Sequence, residues 1–170
     1  IGGGGEFWRL DFDRGRRRMS FTYGTAAQST VLQSLDNRVN PGVWSHVALA
    51  VDGNAGMLRL YIDGTLEIES VITPLNIPSS GGLAFGGVYN DFNAATYSGL
   101  LEECRFWATE RSAAQIQAAM NGRLPVLDRT LLVGYWSFCE SYTDETRFSH
   151  HFLPMGFTSL TPVYDLPAAL

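Results

Sequence analysis

The segment running from Val43 to Gly64 constrains this chain more than any other. Val47, Leu49 and Val51 alternate with His46, Ala48 and Ala50, a period of two that puts the apolar residues on one face. Asp52-Gly53-Asn54-Ala55-Gly56 then interrupts the pattern with residues that tolerate left-handed backbone. Leu58, Leu60 and Ile62 resume the alternation, and Asp63-Gly64 turns the chain toward Leu66 and Ile68. A helix cannot gather these apolar positions on one side. The segment is a meander of half-buried antiparallel strands.

The turn at Asp63-Gly64 sets the register of its hairpin. A two-residue loop pairs Ile62 with Thr65 and, in a regular ladder, puts Glu67 and Glu69 on the face of Leu58 and Leu60. A three-residue loop, Ile62-Asp63-Gly64, places Leu60 opposite Leu66, Leu58 opposite Ile68 and Arg59 opposite Glu67. Gly64 then takes a positive φ. The three-residue loop is the expectation, because it keeps both glutamates wet.

Further strands are read at Glu6–Asp13, Met19–Tyr23, Thr30–Leu35, Leu83–Gly87, Gly99–Trp107 and Leu131–Glu140. Ser112-Ala113-Ala114-Gln115 has the capping-box pattern, and Ile116, Ala119 and Met120 give one short helix an apolar stripe that ends at Asn121-Gly122. Many short strands with frequent turns define an all-β, two-sheet antiparallel β-sandwich carrying one helix. Its expected core includes Val47, Leu49, Val51, Leu58, Leu60, Leu66, Phe106, Trp136 and Phe138.

The chain has 170 residues, of which 45% are hydrophobic, enough for a two-layer core. No apolar run reaches the roughly 20 residues of a membrane helix, so membrane insertion is not expected. A net charge of −5 has the wrong sign for a nucleic-acid partner. Every basic residue is Arg, which matches biased codon usage. Ile1-Gly2-Gly3-Gly4-Gly5, without a starting methionine, reads as a piece of a longer chain. Cys104 and Cys139 lie on separate predicted strands; a bridge is open to an extracellular protein, but the strand faces favour two free thiols.

Three stretches carry a family resemblance. Trp44-Ser45-His46-Val47-Ala48, a glycine loop and Leu60-Tyr61-Ile62-Asp63-Gly64 form the first. Gly99-Leu100-Leu101-Glu102-Glu103-Cys104-Arg105-Phe106-Trp107 ahead of the capping box forms the second, and Leu132-Val133-Gly134-Tyr135-Trp136-Ser137-Phe138, with Asp144 further on, the third. Together they resemble the laminin G-like and pentraxin group of concanavalin A-like jelly rolls. The resemblance implies a jelly-roll domain over residues 1–140, whose N-terminal strand has no counterpart in this chain, and an extension or linker over 141–170. The strand after the helix either closes this sandwich or opens a following unit; closure is favoured because it covers an apolar edge.

The same fold carries β-glucanases, which set carboxylates on alternate residues of one strand. Glu102 and Glu103 are adjacent and point to opposite faces; Asp11 and Asp13 alternate, but stand beside a turn without a third carboxylate. His46, His150 and His151 have no nucleophile motif around them. No catalytic residue is assigned, and the chain is read as no enzyme. In pentraxins calcium sits between two loops. The counterpart of the second holds Asn90 and Asp91, the candidate metal ligands, while the first, Thr25 to Ser29, has no carboxylate. Calcium is thus the one cofactor suggested, through a weak site, and an Asn-Asp turn satisfying its own backbone is the competing reading.

Two surfaces could recognise a ligand. In the loop Val88–Ser98, Tyr89, Phe92 and Tyr97 interleave with Asn90, Asp91 and Asn93, joining rings for a sugar face to amides for its hydroxyls. The same rings could instead plug the core. The alternative is the basic run Arg14, Arg16, Arg17 and Arg18, whose guanidinium forks match sulfate or carboxylate, as basic patches do in laminin G-like domains. Asp11 and Asp13 lie across that hairpin to neutralise it. The resulting expectation is a non-catalytic, extracellular or cell-surface recognition module of a larger protein. Its partners would be a glycan or extracellular protein ligand and neighbouring domains of the same chain. A structural module in a filament, coat or surface array is the rival, and a glycosidase-related enzyme the outlier.

Overall fold

The computed structural model describes residues 7–25, 27–72, 83–86, 97–125, 129–139 and 141–152. The chain divides into two compact units, Ile1–Leu83 and Ala84–Leu170. In the first unit β1 (Phe7–Asp13), β2 (Arg18–Gly24) and β3 (Ser29–Gln33) form one antiparallel sheet in that order. A second sheet holds β4 (Val47–Asp52), β5 (Met57–Ile62) and β6 (Thr65–Val71), also in chain order.

Alternation explains why the two sheets stack. Trp8, Leu10 and Phe12 of β1 pair with Tyr23, Phe21 and Met19 of β2, all on one face. Phe21 and Tyr23 pack against Leu58 and Ile72, with Trp8, Leu10, Leu32, Leu49 and Val51 around them. Met19 meets Leu60 and Ile62 alongside Phe12, Val47 and Ile68. Phe21, Leu58 and Leu60 are wholly buried, and each such side chain contributes about 1.5–3 kcal/mol through removal from water. The meander runs as its pattern predicts, with Val47 opposite Ile62, Leu49 opposite Leu60 and Val51 opposite Leu58. Asp52 closes the intervening loop by accepting from the amides of Asn54 (2.9 Å) and Ala55 (3.0 Å).

The β5–β6 hairpin corrects the predicted register. Ile62 pairs with Thr65 across the two-residue turn Asp63-Gly64, with φ of 50° and 72°. Both central residues are left-handed, which matches the twist of the flanking strands. Gly64 is therefore at positive φ as expected, but the three-residue loop is not formed. A β-bulge follows: Tyr61 faces Leu66, while Leu60 faces Ile68 and Leu58 faces Ser70. The residue left over is Glu67. One extra residue returns Ile68 to the core, so the two-residue turn does not drive Glu69 inward. Arg59 meets Glu69 at 2.7 Å instead of Glu67. Glu67, only 3% exposed at its side chain, accepts from Arg38 Nε at 2.9 Å. Leu66, moved off the core face by the bulge, is 47% exposed and is not a core residue.

In the second unit β7 (Cys104–Trp107) pairs antiparallel with β8 (Leu132–Trp136), and α1 (Ala113–Ala119) lies between them in sequence. The capping box is formed as read: Ser112 Oγ accepts from Gln115 N, and Gln115 Oε1 accepts from Ser112 N. A seven-residue helix depends on docking. Ile116 is its buried residue, and Ala119 packs on the cluster of Leu124, Leu132 and Tyr135. Arg105 holds the helix end, donating to the carbonyls of Ala119 (2.5 Å) and Gly122 (2.6 Å).

Three expectations change here. Residues 83–86 form no strand. The strand predicted from Gly99 begins only at Cys104, because Glu103 adopts a φ of 54° that breaks the extended run. Phe106, opposite Gly134, is 36% exposed and lies outside the core. Trp136 is buried at 3%, packing edge-on against Phe85 and Phe152. Phe138 joins the same rings despite its φ of 55°. Both cysteines are free. No helix among the described residues is long and apolar enough to cross a membrane.

Candidate functional site

The basic hairpin connects β1 to β2. Asp13 pairs with Arg18 across its base, and Arg17 reverses the chain at a φ of 51°. The tip is anchored through its backbone to the loop after β3: the amides of Asn37 and Arg38 bond the carbonyls of Arg16 and Arg17, each at 2.9 Å, and Val39 N bonds the Arg17 carbonyl at 3.0 Å. Arg18 lies between Asp13 (3.3 Å) and Asp36 (3.4 Å), and Arg16 reaches Asp36 at 3.6 Å. Arg17 donates to the side-chain oxygens of Asn37 and Asn40. Among the described residues Arg14 has no ion-pair partner, and Arg14, Arg16 and Arg17 are all exposed.

Five guanidiniums stand here beside three carboxylates: Arg16 and Arg18 pair with Asp36, Arg18 also with Asp13, and Arg38 with Glu67, while Arg14 and Arg17 pair with no carboxylate among the described residues. The neutralisation expected from Asp11 and Asp13 is therefore partial. Asp11 is engaged by Arg9 at 2.6 Å and takes no part at the tip. A local excess of two positive charges remains in a chain of net charge −5. The exposed pair Arg16–Asp36 adds about 0–1 kcal/mol to stability. Asp36 and Arg38, in the loop after β3, and Glu67 of β6 are members of this cluster that strand patterns alone do not connect to the hairpin.

Of the aromatic loop, Tyr89, Asn90, Asp91, Phe92 and Asn93 lie outside the described residues, and with them the candidate calcium ligands Asn90 and Asp91. Tyr97 is described. Its amide bonds the Gly86 carbonyl at 2.8 Å, tying the two ends of the loop together. Its hydroxyl donates to the Leu100 carbonyl at 3.3 Å. A Cβ on Gly99 would lie 2.5–2.8 Å from the Tyr97 ring and hydroxyl, so that ring rests on the Gly99 backbone. Among the described residues no group of three or more His, Cys, Asp or Glu could hold a metal ion.

A second polar assembly occupies the other unit, and sequence reading missed it. Glu103 accepts from the Tyr135 hydroxyl at 2.7 and 2.9 Å and from Arg105 at 2.6 Å. Arg105 and Arg129 flank the Tyr135 ring at 5.7 and 4.4 Å. Arg129 and Arg123 both bind Glu145, at 3.0 and 2.9 Å. Burial, reinforced by Glu103, pushes the Tyr135 phenol up to about 12, so it stays a donor. Burial likewise pushes the Cys104 thiol up to about 12, helped by Glu103 and opposed by Arg105; it is a neutral, inert thiol.

Beside that network Asp144, fully buried at its side chain, accepts from the amides of Tyr135 (3.0 Å), Thr146 (2.8 Å) and His150 (2.9 Å) and from the Thr146 hydroxyl (2.8 Å). Burial pushes its carboxyl up, but these bonds outweigh burial and hold it below the ordinary value. Among the described residues Glu103, Asp144 and Glu145 are each bonded within the protein, with the helix end and β8 held by the network, and Arg105 Nε is buried without a hydrogen-bond partner. These bonds tie the helix end to β8.

Residues 1–117 match the laminin G-like model described as the concanavalin A-like lectin/glucanases superfamily. A rat protein, the sushi, von Willebrand factor type A, EGF and pentraxin domain-containing protein 1, is 25% identical over 116 residues, covering 64% of this chain and 3% of that protein. The crystal structure of an S-layer domain-containing protein from Clostridium thermocellum (residues 221–444) superposes with a TM-score of 0.40 at 19% identity, covering 71% of this chain and 65% of that one. This chain thus spans a small part of the curated relative that it matches. Two stacked antiparallel sheets, one short capped helix and the family match over residues 1–117 place the chain in the concanavalin A-like lectin/glucanase superfamily.

Proposed function

We propose that this chain is a non-catalytic recognition module of a larger secreted or cell-surface protein, binding an anionic carbohydrate or protein ligand at the β1–β2 hairpin. One observation carries the reading: Arg14, Arg16 and Arg17 stand exposed on a tip whose backbone is bonded to the neighbouring loop, and only part of their charge is compensated. Guanidinium forks on an anchored turn suit sulfate or carboxylate groups. The alternate carboxylates that a glucanase would need are both engaged, Asp11 by Arg9 and Asp13 by Arg18, which supports a non-catalytic role. Similarity to a multidomain protein with pentraxin and EGF modules supports the extracellular setting.

A second location, the loop ending at Tyr97, is favoured by the bond that closes it onto Gly86. There Tyr89, Phe92 and Asn93 would meet a sugar, and a weakly held calcium on Asn90 and Asp91 would order the loop. Calorimetry with a sulfated oligosaccharide and its desulfated counterpart, with and without calcium, separates the two. Binding of the sulfated form alone, weakened about tenfold or more in an Arg14→Ala/Arg16→Ala/Arg17→Ala variant and insensitive to calcium, supports the hairpin. Loss of binding in Asp91→Ala or Tyr89→Ala, with the arginine variant unaffected, moves the site to the loop. No binding of glycan or extracellular protein by any form leaves the assembly-module reading in its place.

A further inference from the structure

We infer that Glu67 is a positioning residue for Arg38, and that Arg38 joins the arginines of the β1–β2 tip as a further ligand-contacting guanidinium. The inference rests on the hairpin reading above and extends that site onto the loop after β3. Arg38 lies beside the tip, its amide bonding the Arg17 carbonyl at 2.9 Å. The next residue, Val39, bonds the same carbonyl and packs against the cluster of Met19, Leu60 and Ile62. The backbone of Arg38 is thereby tied both to the tip and to the core. Its side chain is 45% exposed, and its Nε donates to Glu67 at 2.9 Å. A guanidinium carries its N–H donors in a rigid planar fork, so a bond through Nε fixes the direction of the end-on Nη pair, which suits sulfate or carboxylate oxygens.

The placement of Glu67 is the second observation. It is the extra residue of the β6 bulge, and its side chain is only 3% exposed. Burying a carboxylate is costly even when it is paired, and an apolar side chain in its place often serves stability as well or better. Packing alone therefore does not call for glutamate here. What the carboxylate supplies is direction. It takes rotational freedom from a long, exposed side chain, which lessens the entropy lost when that side chain binds an anion. Tip and loop meet at Arg17, so a ligand with two or more anionic groups can span both.

Charge by itself predicts the opposite sign, because Glu67 repels an anion. Glu67→Ala and Glu67→Gln remove the same negative charge, and by attraction alone both tighten binding equally. Only glutamine keeps an oxygen that can accept from Arg38 Nε.

Calorimetry with a dextran sulfate oligosaccharide on these charge-matched variants tests the inference. Glu67→Gln is expected to bind within about twofold of the wild type or more tightly, and Glu67→Ala about threefold or more weaker than Glu67→Gln. Arg38→Gln/Glu67→Gln leaves no buried charge behind and decides the matter if Glu67→Ala does not fold; it too is expected to bind about threefold or more weaker than Glu67→Gln. Equal affinity of Glu67→Ala and Glu67→Gln, or of Glu67→Gln and the double variant, overturns the inference. If Arg14→Ala/Arg16→Ala/Arg17→Ala is still weakened in that case, the site stays on the hairpin alone. No binding by the wild type, or no loss in that triple variant, overturns the hairpin reading and this inference with it.

Discussion

Replacing Gly134 by alanine places two physical effects in opposition at one site. In a strand interior, glycine costs about 0.5–1 kcal/mol relative to alanine through backbone entropy, so the substitution on its own should stabilise β8. The backbone there is not left-handed, and alanine can adopt it. The obstacle is Trp136, two residues on and on the same face. A Cβ at Gly134 would lie 2.1 Å from the far edge of the indole, and 2.7 and 2.9 Å from the next two ring atoms. The ring cannot simply swing away. Its Nε1 donates to the His150 carbonyl at 2.9 Å, and Phe152 and Phe85 lie 4.8 and 5.6 Å from it, centroid to centroid. Overpacking of this kind costs about 1–3 kcal/mol, and losing the indole hydrogen bond costs about 1 kcal/mol more. Offset by the backbone gain, Gly134→Ala should destabilise by about 1–3 kcal/mol. Urea unfolding followed by circular dichroism measures this as a fall in midpoint at constant slope. In a Trp136→Leu background the clash is gone, and Gly134→Ala should become neutral or stabilising by up to about 1 kcal/mol. A loss below about 0.5 kcal/mol in the native background, or the same loss in both, would refute the claim that the indole rests on that glycine.

Two further outcomes follow from the carboxylates of the second unit. Asp144→Ala leaves the buried amide of Tyr135 and the part-buried amides of Thr146 and His150 without their acceptor and should destabilise by about 2–3 kcal/mol in the same assay. Because Asp144 titrates below its unfolded value of 3.8, its contribution is present above that pH and is lost as pH falls through the folded pKa; the wild type should therefore lose stability below about pH 4 more steeply than the variant. Glu102 behaves oppositely. One of its carboxylate oxygens is buried without a hydrogen-bond partner, and burial together with the neighbouring Glu103 raises its pKa. Glu102→Gln should raise Tm by about 2–4 °C at pH 7, corresponding to about 1 kcal/mol, with the gain shrinking as pH falls to 4.5 and below; an unchanged Tm at pH 7 would show the carboxylate to be solvated.

Much of this protein follows from local chemistry that is legible along the chain. Period two over Val47–Ile62 sets the β4–β5 register, since any slip would turn Leu58 and Leu60 outward. The capping residues Ser112 and Gln115 set the start of the helix, because both partners lie within one turn. What local patterns could not decide was where a regular ladder is broken. The bulge at Glu67 exists because Arg38, twenty-nine residues away, receives that side chain, which makes a two-residue turn compatible with a dry core. The late start of β7 depends on Glu103, held in left-handed backbone by Tyr135 and Arg105. The character of the arginine hairpin likewise rests on a distant residue. Asp36 neutralises part of it only because backbone bonds bring the loop after β3 against the tip. Alternation and capping are properties of neighbours in sequence, whereas a buried charge finds its partner only in three dimensions.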